Sequence, residues 1–255
     1  MICAVDVGNS SLKGGLFEKG RLEETFRISL EEGHHVAVSS LLDKVRSSGT
    51  SYLGVSSVVP TVSDAISNAA APVASVSVFV LSHRAKLPFS ISYETLDTLG
   101  VDRIAAAAGA WKVFGGNEHR PIIVVDAGTA VTADVVADGA LLGGMIFPGP
   151  ELQRRAVRSG TAQLPVVDLE WPRRAIARGT REAIATGIML SFVEGVRGIL
   201  VRIIDELSRQ PHIVSTGGWG RLLADKISLI EMNDGDLVLR GLAAIMEINR
   251  APTAR

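Results

Sequence analysis

Apolar residues enter this chain in short runs, each cut off by glycine or by small polar residues. The first three runs, over 2–7, 12–17 and 22–29, are rich in β-formers and are separated by Gly8-Asn9-Ser10 and Lys19-Gly20. That pattern predicts a three-stranded meander. Apolar positions at helical spacing follow over 36–45. A buried strand over 52–59 stops at Pro60, a short helix covers 62–69, and another strand covers 76–81. Asp102 stands before an Ala-rich run and is expected to be the N-cap of a helix over 104–114. The polar stretch 115–120 reads as a connection. The strand pattern then returns over 122–127, 130–136 and 141–146, with Asp138-Gly139 as the middle turn and Phe147-Pro148-Gly149 as its end. Thr180 is expected to cap a helix over 181–207 that is apolar nearly all round, and so buried in a core, a subunit interface or both. A strand over 212–216 breaks at Gly217-Gly218, a last helix covers 236–248, and the tail 250–255 is expected to fray.

The two meanders are spelled alike. Val5-Asp6-Val7-Gly8-Asn9-Ser10 matches Val125-Asp126-Ala127-Gly128-Thr129-Ala130, each an apolar strand ending in Asp, a small residue, Gly and a further small residue. A strand-end carboxylate beside a turn with little side-chain bulk leaves room for phosphate oxygens to meet backbone N–H groups. Two copies predict a triphosphate held between two related halves. Meanders followed by helices, twice, give an α/β architecture of two similar halves around a cleft. The halves are drawn as 1–117 and 118–255.

Composition narrows the classes. Hydrophobic residues make up 47% of the 255 positions, enough for a sizeable core. Lys+Arg 26 against Asp+Glu 27 leaves a net charge of −1, and no basic arm or helix-turn-helix pattern is present. Neither nucleic acid nor a membrane is therefore an expected partner. Cys3 is the one cysteine and reads as a buried filler, which fits a reducing compartment. With no basic-then-apolar leader and no run of about 18 apolar residues, a soluble cytoplasmic protein is the default expectation.

Chemistry concentrates at three places. In Asp6-Val7-Gly8-Asn9-Ser10-Ser11-Leu12-Lys13, Gly8, Ser10 and Ser11 suit phosphate, Asp6 suits Mg²⁺ directly or through water, and Lys13 adds a positive charge. The segment also reads as a strand-ending Asp that caps a turn. In the second copy Thr129 and Thr132 offer hydroxyls and Asp126 a further cation site. No GxxxxGK[ST] or GxGxxG loop occurs, so phosphate binding rests on these hairpins. Gly100-Val101-Asp102-Arg103 puts a carboxylate beside a cation at a helix start, where dipole and cation both favour the ionised form. It suits a general base, or an ordinary N-cap with a solvated Arg. The histidines, including His119, show no metal-ligand spacing, and Thr216-Gly217-Gly218 reads as a strand-to-helix turn or a nucleotide edge.

Taken in order, these segments resemble the type III pantothenate kinases, within the superfamily of acetate kinase, sugar kinases and actin. The resemblance rests on DVGNSSLKGGLF at 6–17, SSVVP at 56–60, YETLDTLGVDR at 93–103, DAGTAVTAD at 126–134 and GGMIFPG at 143–149. It continues through TAQLP at 161–165, GTREAIATGI at 179–188, STGG at 215–218 and DLVLRGL at 236–242. It implies two ribonuclease-H-like halves, a homodimer and ATP-dependent phosphorylation of pantothenate on the route to coenzyme A. It further implies that residues 6–13 (Asp6, Val7, Gly8, Asn9, Ser10, Ser11, Leu12, Lys13) with Thr129 and Thr132 bind ATP, with Asp6 near Mg²⁺. Asp102 matches the catalytic base. Tyr93, Gly100, Val101, Asp102, Arg103 and Thr180 match pantothenate contacts, Thr180 from the partner subunit. Asp126 matches the ligand of a monovalent cation, K⁺ or NH₄⁺. Ser10 stands where the family more often has Thr and keeps the hydroxyl; Leu96 stands where many members have Pro. The alternatives are a regulator, or a kinase or phosphatase of another small substrate, on the same fold.

Overall fold

The computed structural model describes residues 1–71, 76–116 and 120–250. His119, the boundary expected between 117 and 118 and most of the tail 250–255 lie outside them. In chain order the elements are β1 (Ile2–Val7), β2 (Ser11–Glu18), β3 (Arg21–Ser29), α1 (His34–Ser47), β4 (Tyr52–Ser57), α2 (Pro60–Ala70), β5 (Ser77–Val80), β6 (Ser90–Ile91) and α3 (Val101–Val113). Then come β7 (Ile122–Ala127), β8 (Ala130–Ala137), β9 (Ala140–Pro148), α4 (Pro150–Ser159), α5 (Thr180–Glu206), β10 (His212–Thr216), α6 (Gly220–Lys226), β11 (Met232–Asn233) and α7 (Leu237–Asn249).

The chain packs as two units. Unit 1 holds Met1–Asn117, Gly139–Leu142 and Asp236–Arg255; unit 2 holds Glu118–Asp138 and Gly143–Gly235. The two continuous halves drawn from the sequence differ from this division at Gly139–Leu142 and at the C-terminus. Helix α7 packs against α3, β1 and β4, so the last helix of the chain belongs to the first unit. The physical reason is a close approach of backbones. A Cβ on Gly241 would land on the Ala105 carbonyl, and one on Gly109 on the Leu237 carbonyl. The Ala-rich face of α3 is what lets α7 in.

Unit 1 carries a five-stranded sheet ordered β3-β2-β1-β4-β5, antiparallel through the meander and parallel from β1 to β5. In unit 2 the order β9-β8-β7-β10-β11 repeats it, with β7/β8 antiparallel and β7/β10 and β10/β11 parallel. The duplication read from the two hairpins therefore extends to whole sheets. Within unit 1, β6 pairs with the first residues of β9 through Ser90↔Ala140 and Ile91↔Leu141. Each unit has its own core. Leu12, Leu41, Leu53, Val55 and Ile66 are fully buried in unit 1, as are Ile123, Val125, Phe192 and Leu223 in unit 2.

Two sequence expectations shift. The N-caps are Gly100 for α3 and Gly179 for α5, so Asp102 and Thr180 lie inside the first turns and do not cap them. Helix α5 is long and apolar enough, by length and composition, to cross a membrane. Within the chain it is buried along one stripe: Phe192, Val196 and Leu200, at four-residue spacing, enter the core of unit 2, and Ile188 is buried one turn before them. Its Ala183, Gly187, Glu194 and Gly198 are exposed. Helix α4, polar and begun by Pro150 after Gly149, was not expected; a proline in the first helical position was the available signal.

The Gly241 contact gives a stability prediction. Gly241→Ala should destabilise the protein by about 1–3 kcal/mol, the usual cost of overpacking. A thermal melt reads this as a drop of about 2–4 °C per kcal/mol for a protein of this size. An unchanged melting temperature would show that α3 and α7 separate freely.

Candidate active site

Alternation along β1 decides which way Asp6 faces. Cys3, Val5 and Val7 enter the core beneath α1 and α2, so Ala4 and Asp6 turn to the other face, where α7 packs. Burial pushes the Cys3 thiol up to about 12, which leaves it an inert filler. Asp6 is half-buried and lies in register with Lys13 on β2 and Ser56 on β4. The turn between the strands is tied by Gly8 N–H donating to the Ser11 carbonyl at 3.1 Å, with Asn9 and Ser10 exposed. Arg27 Nη1 donates to Ser11 Oγ at 3.0 Å. Val7 and Leu12 are buried and Gly8 has no side chain, so of the eight residues 6–13 these three have only main-chain groups to give a ligand.

Lys13, expected to add a positive charge, shares that charge with a carboxylate. Its Nζ lies 2.8 Å from Asp236 Oδ1 at the start of α7. Asp236 thus joins the candidate site, and the sequence reading did not single it out. It opens the segment DLVLRGL, but nothing in a linear reading connects the last helix to the first hairpin.

Asp102 sits in the first turn of α3, in unit 1, as does Asp6. Its Oδ1 accepts the Arg103 N–H at 2.9 Å, and the carboxylate folds back over Gly100, where a Cβ would collide with it. Glycine at 100 is thus a requirement of the carboxylate's position. Burial raises the Asp102 pKa above the ordinary 3.8, opposed by the Arg103 N–H, its own N–H and the Arg103 charge. The sequence expectation was the reverse, with dipole and cation favouring the ionised form. Desolvation is the larger effect on this part-buried carboxylate. Arg103 itself is 6% exposed and lies with its guanidinium carbon 5.5 Å from the Tyr93 ring centre. Gly100, Val101, Asp102, Arg103 and Tyr93 therefore form one cluster, braced by a cation–π contact.

In unit 2, Asp126 repeats the half-buried position of Asp6. Its register neighbours are Thr132 on β8 and Thr216 on β10. Gly128 N–H donates to the Ala130 carbonyl at 3.0 Å, and Thr129, exposed, accepts the Gly149 N–H on its carbonyl at 2.9 Å. Gly217 has φ +83, and a Cβ there would lie against Asp126 Oδ1 and 2.6 Å from the Ala127 carbonyl. Carboxylate and carbonyl oxygens converge on the space that this glycine leaves open. Thr180 is exposed at the start of α5. Among the described residues no group of three or more His, Cys, Asp or Glu forms a metal cluster.

A sequence model of the type III pantothenate kinase family matches residues 2–202. A type III pantothenate kinase from Brevibacillus brevis is 34% identical over 259 residues, covering 98% of this chain and all of that one (100%). One from Bacillus cytotoxicus is 31% identical over 257 residues, covering 98% and 97%. A ROK family glucokinase from Streptomyces griseus, solved in complex with glucose and AMPPNP, aligns with TM-score 0.57 at 13% identity, over 96% of this chain and 98% of that chain. The fold is that of sugar kinases and other actin-like ATPase-fold proteins.

The raised Asp102 pKa has a signed consequence for stability. The folded protein keeps this proton at pH values where the unfolded chain has lost it, so the ionised carboxylate weighs against folding as pH rises from 3.8 through the folded value. Asp102→Asn retains an oxygen acceptor for the Arg103 N–H and carries no charge. It should melt higher than wild type at neutral pH, with the gap closing below about pH 3.8. A variant that melts lower at neutral pH would sink the desolvation argument.

Proposed function

This chain belongs to the type III pantothenate kinase family and phosphorylates pantothenate for coenzyme A biosynthesis, and we propose that Asp102 is the general base of that transfer. The observation that carries the assignment is the part-buried carboxylate folded over Gly100 beside Arg103, in the same unit as the Asp6 hairpin. A base that must take a proton from an alcohol gains from a pKa raised towards the working pH. Asp102 accepts the proton of the primary hydroxyl as that oxygen bonds to the γ-phosphorus and the bond to the β–γ bridging oxygen breaks. Because the transition state of phosphoryl transfer is loose, orienting the hydroxyl is the larger part of the task. The Arg103 N–H, by fixing one carboxylate oxygen, supports that orientation. Arg103, held against Tyr93, suits a substrate bearing a carboxylate, as pantothenate does.

ATP is the phosphoryl donor that the family implies, with a divalent metal. The first hairpin fits both: Gly8, Asn9, Ser10 and Ser11 leave room for phosphate oxygens, Lys13 supplies a cation, and Asp6 is a hard oxygen ligand. Magnesium, when bound, neutralises charge on the phosphates. Thr129 and Thr132 belong to the same proposal as nucleotide contacts, and Asp126 as ligand of K⁺ or NH₄⁺. The convergence of Asp126 Oδ1 and the Ala127 carbonyl on Gly217 supports the cation assignment, since fixed positive charge near the phosphates stabilises the transferred group.

A homodimer completes the reading, with Thr180 reaching the pantothenate site of the partner subunit. The exposed small residues of α5 (Ala183, Gly187 and Gly198), together with Ile176 at 81% exposure, support a face that another copy covers. A cytoplasmic location follows from the metabolic role and is part of the proposal.

The test is an assay of ATP, Mg²⁺ and pantothenate in potassium and then in sodium. Phosphopantothenate should form faster in potassium or ammonium. Asp102→Asn should lower kcat by about 10²–10⁴-fold; robust turnover by that variant removes the base assignment. Gly217→Ala should abolish the preference for potassium, because its methyl fills the space between the oxygens. No turnover on pantothenate in any salt would leave the regulator as the reading.

A further inference from the structure

Ser56 has no role in the chemistry described so far, yet its position is unusual. It is completely buried (0% exposed), and among the described residues its Oγ has no hydrogen-bond partner. Alanine would fill the same place without a desolvated hydroxyl, and an unmade buried hydrogen bond only weakens a fold. The neighbouring Ser57 differs, since its Oγ donates to the Val59 carbonyl at 2.9 Å and shapes the turn after β4.

The register of the sheet says where Ser56 points. On the parallel pair β1/β4, Ser56 lies directly beside Asp6 and Gly54 beside Ala4. Side chains at matched positions on neighbouring strands share a face, about 4.8 Å apart. That face is the one α7 covers, because a Cβ on Gly54 would lie 2.8 Å from Met246 Cε. Helix α3, with Asp102 in its first turn, also packs on β4. Unit 2 repeats the arrangement: Thr216 on β10 is the register partner of Asp126 and is likewise buried. Each strand-end aspartate thus has a hydroxyl residue at its side on the parallel strand.

We propose that Ser56 is a positioning residue that donates its hydroxyl proton to an Asp6 carboxylate oxygen in the nucleotide-loaded enzyme. Ser56 touches neither substrate nor phosphate. It selects the Asp6 rotamer in which the other oxygen faces the magnesium site, as outer-shell partners of metal ligands do. The inference rests on the assignment of Asp6 to magnesium and nucleotide given above.

The experiment compares wild type, Ser56→Ala and Ser56→Cys. Cysteine keeps roughly the volume and is only a weak donor. Melting temperatures of the apo proteins are read first, then calorimetric binding of AMPPNP across a magnesium titration, then turnover. Both variants should melt within a degree or so of wild type, or above it. Both should need about 10-fold more magnesium for half-maximal nucleotide binding, in the range that outer-shell mutations cost. The pantothenate KM should stay unchanged while kcat falls at limiting magnesium. A shifted magnesium requirement at full apo stability supports the proposal; any other pattern overturns it. Nucleotide binding is read without pantothenate, so failure of the substrate assignment appears as absent wild-type turnover, whereas failure of this inference appears as an unchanged magnesium requirement.

Discussion

The backbone of α7 touches the backbone of α3 only because Gly241 and Gly109 carry no side chains, and the functional face of unit 1 depends on that contact. Through it the last helix of the chain covers β1 and β4 and brings Asp236 to Lys13. The same packing sets α3 across β4, and Asp102 in the first turn of α3 is part-buried. Burial then acts on chemistry. A carboxylate at the start of a helix and beside an arginine would be expected to ionise easily, yet desolvation wins and holds its proton affinity up. A base for an alcohol is better served by that outcome than by an exposed, strongly acidic aspartate.

Duplication supplies the frame, and the two copies depart from it at the candidate site. Both sheets have the same strand order, and both aspartates end their strands half-buried, beside a hairpin and a parallel neighbour. Opposite Asp6 stands Lys13, and opposite Asp126 stands Thr132. A cation paired with Asp236 suits a phosphate and divalent-metal site; a neutral hydroxyl with carbonyls beside Gly217 suits a singly charged ion. Asp102 belongs to neither repeat. The proposed base thus comes from a helix packed on β4 and α7, outside the duplicated hairpins.

Several features were legible in the sequence because they depend on near neighbours alone. Strand-end aspartates, glycine turns and the hairpin spelling are local, and they predicted β1, β2, β7 and β8 to within a residue or two. Helix starts were less legible. Asp102 and Thr180 have good capping side chains, but Gly100 and Gly179 take the N-cap positions, and the folded-back Asp102 carboxylate leaves no room for a Cβ at 100. The apolar character of α5 was readable, whereas its division into a buried stripe and an exposed, glycine-containing face depends on what packs beside it.

The sequence by itself determined the α/β class, the duplication and the family, and it marked the aspartates at 6, 102 and 126 as candidates, since periodicity, turn chemistry and motif order are properties of the linear chain. Tertiary structure decided which unit α7 joins, that Lys13 shares its charge with Asp236, the direction of the Asp102 pKa shift, and the placement of Ser56 beside Asp6. Each of these depends on burial or on contact between residues far apart in the chain. Desolvation and long-range register exist only once the sheets are formed and the helices are laid on them.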